Sequence, residues 1–172
     1  MNDWKLQHTD AAALGRWARV ALAARCARRV LPLLRHCWPG ATEAHADILD
    51  CAITMAEDSA AQGVALTCPH LTPHNARAGE VAEEADAFGG AAHAAHCASA
   101  AASAIYVSHG HAAAVAFENA GLAHPADPET LRAAMHADYA TAAAHGDGPM
   151  SPGDFGPMWP NGTPAGWPSE QE

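Results

Sequence analysis

Residues 16–37, RWARVALAARCARRVLPLLRHC, carry the pattern that decides the fold. Leu22, Cys26, Val30, Leu33 and Cys37 recur at steps of three and four, which lays one apolar stripe down a helix. Thr9 or Asp10 stands where a cap for that helix is expected. Pro32 interrupts the stripe. It must either kink the helix or begin a new turn, because proline removes a backbone donor and clashes with the turn before it. Trp38-Pro39-Gly40 then ends the run.

Working outward, the same period recurs with weaker side chains. Thr42 caps a second helix whose first turn holds Glu43, and Gly63 stops it. Ile48, Ala52, Met55 and Ser59 make one line along it, and Leu49, Ile53, Ala56 and Ala60 the next. TCPHLTPHN (67–75) reads as a loop, with a third helix starting near Pro73 or Asn75 and running through ARAGEVAEEADAF (76–88). Residues 91–121 read as helix with an interruption expected at Gly110. Asp127 or Pro128 opens a last helix on which Leu131, Met135 and Tyr139 share a face.

Alanine outnumbers every other residue and is the best intrinsic helix former, whereas strand formers are sparse. The expectation is an all-α, single-domain helical bundle of about five or six helices, spanning residues 1–146. Alanine methyls bury little area, so helix backbones must approach closely and a few large residues (Trp17, Leu22, Ile53, Phe117, Leu131) anchor the core. Residues 147–172 form an extended tail rich in proline and glycine. Its Met150, Phe155, Trp159 and Trp167 are poor residues to leave in water, so it is expected to lie on the bundle with Trp159 substantially buried.

Charge is lopsided. Residues 1–35 hold seven of the nine basic side chains beside only Asp3 and Asp10, while residues 36–172 hold the remaining acids against Arg77 and Arg132. A net charge of −10 argues against a nucleic-acid surface, which needs positive potential at the contact. Either the N-terminal arginines are neutralised among acidic helices, or they form a basic docking face. No stretch approaches a membrane span, the opening MNDWKLQHTD has no signal-peptide plan, and five scattered cysteines without a CxxC suit a reduced, cytoplasmic setting.

Histidine and cysteine offer one metal pattern. His93, His96 and Cys97 fall on neighbouring positions of a helix, and Cys68, His70 and His74 could add ligands from the loop. These six match no complete ligand framework, so no cofactor is expected. His109-Gly110-His111 can act jointly only if Gly110 breaks the helix. Glu80, Glu83, Glu84 and Asp86 make an acidic helix face: a solvated surface, or one offered to a basic partner. No GxSxG elbow, P-loop or GxGxxG occurs, so no catalytic residue is indicated.

The first helix with Trp17, the run CARRVLPLL (Cys26–Leu34) and the proline-containing turn before a second helix together resemble one group of bacterial proteins. These are the small, alanine-rich helical immunity proteins of polymorphic toxin systems. The resemblance implies a catalytically inactive protein that binds and neutralises a cognate toxin. The expected function is accordingly a protein-binding module. The alternatives are a metal-dependent or cysteine-based enzyme using the His/Cys cluster, and a structural or regulatory helical module without a dedicated ligand.

Overall fold

The computed structural model describes residues 4–66, 71–107 and 109–168, with 71–75 as backbone alone. Among the described residues, eight α-helices follow in order: α1 (His8–Ala13), α2 (Arg16–Val30), α3 (Leu33–Cys37), α4 (Glu43–Gln62), α5 (Leu71–Glu84), α6 (Gly90–Ala104), α7 (His111–Leu122) and α8 (Pro128–His145). Short 3-10 turns at Asp86–Phe88 and Pro152–Phe155 complete the set, and no strand occurs among the described residues. The chain is all-helical. None of the described helices is long and apolar enough to cross a membrane.

The helix count exceeds the expected five or six because the first predicted helix is cut into three pieces. Thr9 and Asp10 do not cap it; they lie inside the short α1, which ends where Leu14 and Gly15 turn extended. Gly15 is needed there, since a Cβ would meet the carbonyl oxygen of Gly146 at 2.1 Å. Pro32 begins a new turn. The chain stays in the α region through Leu31 and Pro32, but the missing donor separates α2 from α3. The third helix starts earlier than its prolines suggested, at Leu71, with Pro73 in the first turn where no backbone donor is required.

Other boundaries follow the expected local chemistry. Thr42 caps α4 by accepting from the His45 amide at 3.3 Å, and His45 Nδ1 accepts in return from the Thr42 amide. Gly63 closes α4 in the left-handed region, which costs glycine nothing. Asp127 caps α8, with Pro128 in its first turn.

Helices α2 and α6 form the centre. Helix α6 packs on α2, α3, α4, α5 and α7; α2 packs on α4, α6, α7 and α8. The predicted stripe of α2 is buried from Leu22 to Leu33, and Leu49, Ile53, Ala56 and Ala60 are the fully buried line of α4, while Ile48 and Met55 are half-buried.

From α8 the tail crosses the bundle. The Met150 amide donates to the Ala60 carbonyl at 2.9 Å, and the Met150 side chain is fully buried. Phe155 is also buried, while Trp159 and Trp167 are half-buried and meet edge to face at 4.7 Å. The deep positions thus belong to Met150 and Phe155, and Trp159 lies shallower than its sequence suggested. Its far end is tied to the α7–α8 turn: His124 Nε2 donates to the Ala165 carbonyl at 2.8 Å, and the Ala165 amide donates to Asp127 at 3.0 Å.

Candidate functional site

Two neighbourhoods stand out, one acidic and exposed, the other basic and buried. Glu80, Glu83 and Glu84 project from the end of α5, and Asp86 follows in the 3-10 turn; all four are exposed. Beside them lies a stack of rings. Trp38 lies between His45 and Phe88, with centroids 4.7 Å and 5.4 Å away, and Phe88 keeps 37% of its surface in solvent. His45 Nε2 is 3.4 Å from the Glu84 carboxylate, which joins the ring stack to the acidic face.

Of the N-terminal arginines, Arg16 and Arg35 are exposed, Arg19 and Arg28 half-buried, and Arg25 and Arg29 buried. Arg16 donates to the Ile105 carbonyl, Arg19 to those of Ala12 and Leu14. Arg28 is bound by Glu57 and Asp50 of α4 and by the Thr54 hydroxyl. These hydrogen bonds outweigh the cost of its partial burial and hold its pKa above the ordinary arginine value. Of the two readings of the basic segment, neutralisation among acidic helices describes Arg28 and the buried pair that follows, while Arg16 and Arg19 bond to backbone carbonyls.

Arg25 and Arg29 are buried, four residues apart on one face of α2, and both reach Asp138 of α8. Two guanidinium groups face one carboxylate. The surplus positive charge meets tail groups instead: Arg25 donates to the Gly156 carbonyl at 2.9 Å, Arg29 to the Met158 carbonyl, and the faces of Phe155 and Trp159 lie over the two guanidiniums. Burial pushes the Asp138 carboxyl up, opposed by Arg29 and Arg25; burial likewise lowers Arg25, opposed by Asp138. The buried Nε–H of Arg29 has no hydrogen-bond acceptor, and that of Arg25 has Asp138 Oδ1 at 3.5 Å. This cluster invites no chemistry of its own. It fixes the tail to α2 and α8. Beside it, a groove of about 520 Å³ is lined by Arg28, Pro32, Trp159 and Trp167 among others.

The proposed metal ligands are placed as follows. Cys68 and His70 lie outside the described residues, as does the side chain of His74. His93 is half-buried with Nδ1 3.0 Å from Asn119 Oδ1, His96 is exposed, and Cys97 is buried with its thiol donating to the Ala116 carbonyl at 3.1 Å. The three share a helix but meet different surroundings. Among the described residues, no three His, Cys, Asp or Glu side chains gather in a metal-binding arrangement. Burial holds the Cys97 thiol well above its ordinary value, and burial together with Asp138 pushes Cys26 up to about 12. Such thiols stay protonated at neutral pH, and the thiol form is a poor nucleophile.

Sequence reasoning missed the Arg25–Arg29–Asp138 cluster and a histidine pair, His8 with His111. The helix does break before Gly110, as joint action of His109 and His111 would require, yet His111 meets His8 of α1. Comparison with protein-family models, with curated proteins and with solved structures finds no match.

Proposed function

We propose that this chain is a small protein-binding module that presents an acidic helix face to a basic partner. One observation carries the reading. Arg25, Arg28 and Arg29 of α2 are engaged by Asp138, Asp50 and Glu57, while Glu80, Glu83, Glu84 and Asp86 stand in solvent beside a partly exposed aromatic, Phe88. These three arginines and their three carboxylates cancel, so the net charge of −10 falls on the remaining groups. Such a field speeds encounter with a basic partner and disfavours acidic ones. Aromatic side chains, phenylalanine included, are enriched in the cores of protein interfaces, which suits Phe88 as an anchor beside the acidic groups.

The resemblance of Trp17 and the Cys26–Leu34 run to immunity proteins makes a toxin the partner to try first, in a cytoplasmic setting. The test is co-expression of the full chain with the product encoded beside it, followed by binding kinetics on the purified pair. The reading expects a stable complex whose association slows about tenfold or more when Glu80, Glu83 and Glu84 are changed to lysine. A complex whose association rate ignores this change would remove the acidic face from the account. Absence of any complex would remove the toxin.

A further inference from the structure

His8 opens α1 and His111 opens α7, and the backbone holds the two side by side. A Cβ on Gly110 would stand 2.6 Å from the His8 carbonyl oxygen and 2.4 Å from the Ala12 amide nitrogen, so only glycine lets α1 cross there. The two imidazoles stack with centroids 4.7 Å apart, and their Nδ1 atoms lie 3.1 Å from one another. Both rings are exposed.

An Nδ1–Nδ1 contact at that distance needs one proton between two lone pairs. A metal ion can take the place of that proton. Two nitrogens bound at about 2.0–2.1 Å to a tetrahedral ion stand roughly 3.3 Å apart, so the pair need open only slightly. We propose that His8 and His111 form a two-imidazole site for a late first-row divalent cation, with water completing the coordination. The ring that had donated its Nδ1 proton adopts the Nε2–H tautomer, so binding releases no net proton.

Space is available beside the pair. His111 and His96 both line a groove of about 370 Å³ between α6 and α7, with room for the remaining water ligands. Imidazole suits copper, nickel and zinc, and the usual order of divalent affinities places copper(II) first. Calcium and magnesium prefer oxygen ligands and are not expected to bind there. With two protein ligands and the positive end of the α7 dipole nearby, affinity belongs in the micromolar range rather than the nanomolar.

The experiment is calorimetric titration of the untagged full chain with copper(II), nickel(II) and zinc(II) at neutral pH, with magnesium as the hard-cation control. His8→Gln and His111→Gln should each weaken copper binding at least tenfold while leaving the melting temperature in place, because both side chains are on the surface. His36→Gln, an exposed histidine remote in sequence from the pair, should change nothing. Equal weakening by His36→Gln would show indiscriminate surface binding and overturn the proposal. Unchanged affinity in either His8→Gln or His111→Gln would overturn it as well.

Discussion

The contact of α6 with α7 and the contact of α2 with the tail solve the same packing problem in opposite ways. Every buried residue of α6 except Cys97 is alanine, and those of α7 are alanine, Phe117 and Gly121. There the backbones approach closely and little side-chain volume is needed. On the far side of α2, two long arginines point at α8, and no alanine surface can close over them. The tail covers this gap. It brings Met150, Phe155 and Trp159, and two backbone carbonyls that accept from the arginines. Small residues suffice where helices meet directly; where buried charge keeps them apart, a separate cover is required.

Breaking the tail contact should have the largest effect. Deleting residues 148–172 removes the fully buried Met150 and the acceptors of Arg25 and Arg29. Truncating one buried methionine alone costs about 2–5 kcal/mol, and each kcal/mol moves the midpoint of a chain this size by about 2–4 °C. Differential scanning calorimetry should therefore show the melting temperature falling by more than about 10 °C.

Asp138→Ala comes next. It leaves two buried guanidinium groups without their carboxylate, and breaking a buried ion pair from one side costs about 3–5 kcal/mol, measured by urea unfolding. The triple change Arg25→Met, Arg29→Met, Asp138→Leu should recover most of that loss, since apolar replacement of a whole buried ion cluster is often neutral. Failure to recover would give the ions a structural role beyond filling space.

On the alanine side, Ala101→Leu tests whether close approach is what holds α6 in place. Ala101 is fully buried. Overpacking there should cost about 1–3 kcal/mol by the same unfolding measurement. A neutral result would mean that the alanine contact has slack that the account denies.

The smallest effect concerns acid. Asp127 is held below the ordinary carboxylate range by the Ala165 amide and by Thr130, and Asp154 by the Ser151 amide and hydroxyl. A depressed carboxyl contributes stability that is present at neutral pH and lost as pH falls through its folded value. Asp138 is shifted the other way and contributes nothing to that acid loss. Acidification should thus release the tail around these carboxylates first, seen by NMR as a falling protection factor of the Ala165 amide, its exchange rate relative to the intrinsic rate at that pH. Asp127→Asn should show that lower protection already at neutral pH.

Much of the helical plan was legible in the sequence, because caps and stops act locally. Thr42, Gly63 and Asp127-Pro128 each satisfy or release backbone groups within a few residues, so their reading needs no tertiary information. The breaks at Leu14-Gly15 and the burial of Arg25 and Arg29 were not legible. Gly15 is dictated by Gly146, and Asp138 lies 109 residues from Arg29. An alanine helix also gives little hydrophobic contrast between faces, so nothing in it singles out Arg25 and Arg29 as the buried pair or Asp138 as their partner. The acidic face was legible as a surface. The His8–His111 pair was not, since its two halves are joined only by the crossing at Gly110.

The central claim is that the tail belongs to the core rather than resting on it. Native-state hydrogen exchange at Met150 tests this most directly, because its amide bonds to Ala60 and its side chain is fully buried. The account predicts that this amide exchanges only through the same global opening as the amides of α2, with the same opening free energy and denaturant dependence. Rapid exchange at Met150, insensitive to denaturant while α2 stays protected, would contradict it.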